Sequence, residues 1–416
     1  MGCEKSVIAS LEREEKGESH VRIQASDRLS GLGSAIFAEV TEWKKEALER
    51  GRDLIDLGIG SPDQPPSPRV MEALRKAVSN PLNFGYPTSE GTPAFRGAVA
   101  RWYKQKFNVH LDPEHEVLAL MGSQDGLAHL ALAVTNPGDI VLVPDPGYPI
   151  YTASLVLAGV TPYRMPLRAE DEYLPKWDAI PASVVKQAKL MILNYPSNPL
   201  SAVADLEFFQ RCVDFARAND ILIVHDLAYS EMAFDGFKPP SLLQIAGAKE
   251  VAVEFHSLSK SFNMAGCRIA FMVGHPEAVQ CLKALKSNID YGIFLAVQEA
   301  GIVALEEDLE TADSVAACYE RRRDVFIDCM TTAGWPMVPP KATMFVWAKV
   351  PEGWSSRQIS REILISTGVA VIPGDAFGAE GEGYVRIALV QNEDRLREAA
   401  RRIGYFLREH HRKQTS

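Results

Sequence analysis

Residues 190–226 read LMILNYPSNPLSAVADLEFFQRCVDFARANDILIVHD. The stretch opens with a short apolar run, Leu190–Asn194, and closes with another, Ile221–Asp226. Both runs are nearly continuous rather than alternating, the pattern of a strand covered on both faces. Between them, Asp205 to Asn219 sets apolar residues at helical spacing. Buried strand, amphipathic helix and buried strand form the repeating unit of a parallel sheet with helices on its faces.

The same alternation continues on either side, from about residue 65 to 275. Further apolar runs stand at Val117–Met121, Ile140–Pro144, Val251–His256 and Ile269–Val273. The expected fold is α/β: a large doubly wound, mostly parallel sheet domain over residues 65–289. Past about 276 the character changes. Val279–Ser287 and Leu295–Ala333 read as helix, and two short strands, Thr343–Val350 and Tyr384–Leu389, flank more helix. Ala35–Arg50 also has helical spacing. Residues 31–64 and 290–416 are therefore expected to form a smaller α+β domain with a linking helix, and residues 1–30 a polar arm.

Composition narrows the function. The chain has 416 residues, 46% of them hydrophobic, enough for a large core. Its formal charge is −10, which repels nucleic acid and anionic membranes, so neither is expected as a partner. The run Arg321-Arg322-Arg323 lies in a helical stretch and reads as a solvated helix face. The six cysteines follow no metal-ligand spacing, so no metal is expected and the thiols should be reduced. The first thirty residues hold no apolar run suited to a signal peptide or membrane span, which points to a cytoplasmic protein.

Doubly wound sheets bind ligands at the carboxyl ends of their strands. Gly122-Ser123-Gln124 follows one run and opens a helix, so its backbone N–H groups can hold an anion. Tyr148, in Pro146-Gly147-Tyr148-Pro149, can stack on a flat ring. Asn198 is aimed by the prolines around it. Asp226 can pair with a buried cation, with Tyr229 three residues on. Lys260, in Ser257-Leu258-Ser259-Lys260, stands past a buried strand. Desolvation there favours the neutral amine that attacks an aldehyde. Arg268 offers a planar fork for a phosphate. Each feature alone is weak; together, in this order, they describe one phosphorylated, ring-shaped ligand.

On these residues the chain resembles the class I/II aminotransferases, fold-type I enzymes dependent on pyridoxal 5'-phosphate. The resemblance runs from about residue 28 to 405. It implies that Lys260 binds the cofactor aldehyde and serves as general base. Asp226 would pair with the pyridine nitrogen, Tyr229 and Asn198 would hold the ring oxygen, and Tyr148 would stack on the ring. Ser257, Arg268, Ser123 and Gln124 would surround the phosphate. Tyr86 would reach the phosphate of a neighbouring subunit in a homodimer. Arg386 would clamp the substrate α-carboxylate, with Ile59 and Gly60 lying against the substrate. The implied reaction moves an amino group from an L-amino acid to a 2-oxo acid, with 2-oxoglutarate and glutamate as the second pair.

Three departures stand out: Asn198-Pro199-Leu200-Ser201 in place of Asn-Pro-Thr-Gly, Cys267 where tryptophan is common, and Leu32-Gly33-Ser34-Ala35 in the N-terminal segment. Within the family, Glu254 to Lys260 and Lys286-Ser287-Asn288-Ile289-Asp290 resemble LL-diaminopimelate aminotransferases. Ser261 to Gly266 and Asp290-Tyr291-Gly292 are equally similar to alanine–glutamate transaminases. A β-lyase or a cyclopropane-forming synthase on the same fold is a further alternative. A transcription regulator would need a helix-turn-helix domain, for which the roughly 30 residues before the matching region are too few.

Overall fold

The computed structural model describes residues 23–30, 32 and 35–415. Most of the expected polar arm, and Gly33 and Ser34 of the Leu32–Ala35 departure, therefore lie outside the described residues. The described residues up to Leu32, with one helical turn at Asp27–Ser30, belong to one unit, and those from Ala35 onward belong to the other.

Seven strands build the large sheet: β2 (Val117–Leu120), β3 (Ile140–Asp145), β4 (Thr161–Pro166), β5 (Ala188–Asn194), β6 (Leu222–Asp226), β7 (Ala252–Ser257) and β8 (Ala270–Gly274). Their order is β4-β3-β5-β6-β7-β8-β2. All neighbours run parallel except β8, which is antiparallel to both β7 and β2. Each of the six expected runs is a strand. β4 was not anticipated, because Pro162 and Pro166 interrupt its sequence. It survives as an edge strand, where proline costs no internal ladder bond.

Continuous apolar runs mean two cores. In β6, Ile223 enters a core with Phe95, Trp102 and Phe209, while Val224 enters another with Leu127, Tyr151 and Leu155. Successive side chains point to opposite faces, and both faces are covered. Register then aligns the carboxyl edge: Asn194 sits beside Asp226, and Asp226 beside Phe255.

The remaining strands are β1 (Ile55–Asp56), β9 (Phe345–Lys349), β10 (Val369–Ala370), β11 (Ile372–Pro373) and β12 (Tyr384–Ala388). β11, β12 and β9 form an antiparallel sheet, and β1 pairs with β10 in parallel. A third core gathers Tyr319, Phe326, Phe345, Ile363, Ile387 and Ile403. The expected helical run 295–333 is two helices, Leu295–Glu306 and Leu309–Thr332.

The arginine run is a correction. Arg321 is exposed, but Arg322 and Arg323 are buried. Arg322 grips Asp63 and Arg323 grips Asp235, each through two N–H groups. Bidentate carboxylates and backbone carbonyls satisfy guanidinium groups that water would otherwise solvate. Among the described residues, no helix is long and apolar enough to cross a membrane.

Candidate active site

A cavity of about 800 Å³ opens at the carboxyl edge of the large sheet. Ser123, Gln124, Tyr148, Asn198, Asp226, Tyr229, Ser257, Lys260, Arg268, Arg386 and Gly60 all line it. Two candidates do not. The Ile59 side chain is exposed beside the lining residues Gly60 and Ser61. Tyr86 is 88% exposed, its ring 5.0 Å from that of Tyr291.

Lys260 arrives on a short turn. Ser257, at the end of β7, caps the helix Leu258–Ser261 by accepting the Ser259 N–H at 3.1 Å. The Lys260 Nζ then donates to the Gly60 carbonyl at 2.5 Å. Burial, with the positive charges of Arg386 and Arg268 nearby, pulls its pKa down to about 8.

Asp226 ends β6. Its Oδ2 accepts from the Tyr151 hydroxyl at 2.7 Å and its Oδ1 from the Ala228 N–H at 3.2 Å. Burial raises the pKa of Asp226, and these donors oppose the rise. Tyr151 escaped the sequence reading. A signal was available: it stands three residues after Tyr148, one turn along the helix Pro149–Ala158. Asn194 is a second such residue. It donates to the Asp226 carbonyl at 2.8 Å and accepts the Asn198 N–H at 2.7 Å, tying two lining residues together.

At the anion end, the helix Ser123–Val134 begins on Gly122 with no side-chain cap, so its N-terminal dipole faces the cavity. Gly122 has φ +84°, and a Cβ there would lie 2.1 Å from the Arg268 guanidinium. Only glycine lets that guanidinium approach the helix start. Arg268 itself is left-handed at φ 51° and donates to the Ala265 carbonyl at 3.0 Å. Ser257 and Ser259 add hydroxyls.

Opposite stands Arg386, in β12. It donates to Asn198 Oδ1 at 2.8 Å and to the Gly58 carbonyl at 2.7 Å. Phe345 and Phe377 sandwich its guanidinium, their ring centres 4.4 and 4.6 Å away. Neither phenylalanine was anticipated. Burial lowers the Arg386 pKa to about 10. Among the described residues no carboxylate pairs with it, and its Nε has no partner. Tyr229 packs edge-on against Phe345, and burial raises its pKa, so its hydroxyl keeps its proton. Tyr148 donates to Gln124 Oε1 at 3.1 Å.

Two departures from the family pattern are packing changes. Leu200 is buried in a core with Trp347 and Phe377, while Ser201 bonds Thr343 Oγ1 at 2.7 Å and the Phe345 carbonyl at 2.9 Å. Cys267 packs against the large core and does not line the cavity.

A sequence model described as aminotransferase class I and II matches residues 52–403. The chain belongs to this family. Curated relatives of this aminotransferase include the LL-diaminopimelate aminotransferase of Moorella thermoacetica, 47% identical over 92% of the chain and 99% of the relative. The LL-diaminopimelate aminotransferase of Aquifex aeolicus is also 47% identical, over 91% and 98%. Among solved structures, a substrate-bound BacF from Bacillus subtilis superposes with a TM-score of 0.88 at 40% identity, covering 92% of this chain and 98% of that one. A probable N-succinyldiaminopimelate aminotransferase from Thermus thermophilus gives 0.85 at 40% identity, over 89% and 100%.

The family implies pyridoxal phosphate, and the residues present fit it. The Gly122 cradle leaves room for a guanidinium beside an uncapped helix start, suited to a phosphate. A buried carboxylate and a buried amine with a lowered pKa line the same cavity, suited to a pyridine nitrogen and an aldehyde.

Proposed function

We propose that this aminotransferase uses pyridoxal phosphate and moves an amino group between LL-diaminopimelate and the 2-oxoglutarate/glutamate pair. One observation carries the chemistry: Lys260, Asp226 and Arg386 face a single cavity, and among the described residues Arg386 has no carboxylate of its own. The substrate comes from the LL-diaminopimelate aminotransferases named above.

When bound, the cofactor supplies an aldehyde for the amino group and a flat ring that takes up the electrons of the Cα–H bond. Ser123, Gln124, Ser257 and Arg268 would hold its phosphate, Tyr148 its ring face, and Tyr229 with Asn198 its ring oxygen. Asp226, braced by Tyr151, would keep the ring nitrogen protonated. Arg386 would bind the substrate α-carboxylate through two N–H groups, fixing the Cα–H bond relative to the ring. The Lys260 amine would act as the general base that takes the Cα proton and as the acid that gives it back. Gly60 and the Ile59 backbone would lie against the substrate.

The enzyme is further proposed to be a cytoplasmic homodimer. Leu82, Phe84, Tyr86 and Tyr291 are all exposed, and Phe84 packs on Phe294 at 5.4 Å. Such a patch suits a second copy, from which Tyr86 would reach the neighbouring phosphate. The division at 64/65 and 289/290 belongs to the same reading, with the third core drawn mostly from the small domain and joined by Tyr229, Met232 and Phe234 of the large one.

A donor screen with 2-oxoglutarate tests this. LL-diaminopimelate should give the highest kcat/KM among LL-diaminopimelate, alanine, aspartate and aromatic amino acids. A preference for alanine or an aromatic donor would overturn the substrate assignment.

A further inference from the structure

Arg322 lies in the middle of the helix Leu309–Thr332 and is 3% exposed. Its Nη1 and Nη2 donate to Asp63 Oδ1 and Oδ2 at 2.7 and 2.8 Å. Nη1 also donates to the Leu389 carbonyl at 3.2 Å. Asp63 belongs to a strap, residues 57–67, which has no regular structure and joins β1 to the helix Pro68–Val78.

That strap gives a backbone carbonyl to each of two cavity cations. The Gly58 carbonyl accepts from Arg386 at 2.7 Å, and the Gly60 carbonyl from Lys260 at 2.5 Å. It also lies hard against the ring beneath Arg386, since a Cβ on Gly60 would meet Phe345 Cζ at 2.5 Å. Leu389 follows Arg386 by three residues, just past β12. One guanidinium therefore grips both the strap and the chain that carries Arg386.

Leu57 and Ser67 anchor the two ends of the strap. The Leu57 N–H donates to the Ala370 carbonyl at 2.9 Å, the Leu57 carbonyl accepts the Ala388 N–H at 2.7 Å, and the Ser67 hydroxyl donates to Asp308. Between these ends the other ties are single bonds. Asp56 accepts the Gly58 N–H at 2.9 Å, and Asn263 donates to the Pro65 carbonyl at 3.3 Å. A bidentate guanidinium–carboxylate pair fixes direction as well as distance, which single bonds of that kind do not.

We propose that Arg322 is a positioning residue: its clamp on Asp63 sets the strap so that the Gly58 and Gly60 carbonyls hold Arg386 and Lys260 in working register. The inference rests on the substrate role given to Arg386 above.

The test uses the full-length holoenzyme with Asp63→Asn, Arg322→Met, the double variant and the milder Arg322→Lys. Amide hydrogen exchange over residues 57–64 reads the strap; KM and kcat for the amino donor read the site. Each single variant should exchange faster over 57–64. KM should rise about 3- to 30-fold, the range expected for coupling through such a contact, with kcat changed less. The double variant should match the singles, and Arg322→Lys, which keeps the charge without the fork, should fall between. Faster exchange or a lower melting midpoint with KM unchanged would reduce Arg322 to a structural role and overturn the proposal; so would additive effects in the double variant. Should the wild-type enzyme transfer no amino group from any donor, the functional reading falls instead. Exchange over 57–64 that is the same in wild type and variants would still refute the clamp.

Discussion

Lys260 shares its cavity with two arginines, and that company sets its working range. Burial first, and their charges second, move its pKa from the usual 10.5 to about 8. The sign follows directly: protonated amine dominates below that value, and only the neutral amine attacks an aldehyde. The rate at which apoenzyme combines with pyridoxal phosphate should therefore rise about tenfold per pH unit below 8 and level off above it. A profile that breaks near 10.5 would contradict the assigned environment. Asp226 depends on Tyr151 in a comparable way. Burial already raises its pKa, and Tyr151→Phe removes a donor that opposes the rise. Hydrogen bonds to charged groups contribute about 1.5–3 kcal/mol, so cofactor affinity should fall about 10- to 100-fold in a titration of the apoenzyme. Unchanged affinity would remove Asp226 from the ring nitrogen. Lys260, Asp226 and Arg386 were legible because each follows or sits in a recognisable strand. Tyr151 was marked only by its place one turn after Tyr148, and Asn194, Phe345 and Phe377 carried no such mark. They act through partners brought together by tertiary packing, and nothing local marks an aromatic residue as the neighbour of a guanidinium.

At the scale of elements, the join between β2 and the helix Ser123–Val134 is the most demanding piece of backbone in the site. Gly122→Ala would strain a left-handed residue and collide with Arg268. Gly138→Ala is the matched control, with φ +93° and nothing within 4 Å of an added Cβ. Both should lose about 1–3 kcal/mol of stability in denaturant unfolding. Only Gly122→Ala should also weaken pyridoxal phosphate binding. Equal effects on binding would mean that the cradle is not the phosphate site. Periodicity revealed six of the seven strands in the large sheet, because strands covered on both faces carry unbroken apolar runs. It missed β4, whose edge position tolerates proline. It misread the helix face bearing Arg322 and Arg323, since charge alone does not say whether a guanidinium meets water or a buried carboxylate.

The whole molecule presents an exposed aromatic patch around Phe84, Tyr86 and Tyr291. If a second copy covers it, sedimentation velocity should show a dimer, and Phe84→Asp should shift the population toward monomer with loss of activity. A fully active monomer would contradict a shared site. The reaction itself gives the most direct test of the central claim, that one cavity holds the amine, the carboxylate and the guanidinium of an amino-transferring centre. Holoenzyme is mixed with LL-diaminopimelate and no oxo acid, and the oxo product is measured by mass spectrometry. The account predicts a single burst of about one equivalent per Lys260, resumption of turnover only when 2-oxoglutarate is added, and no burst from Lys260→Ala. Continued release of product and ammonia without an acceptor, or a full burst from Lys260→Ala, would contradict it.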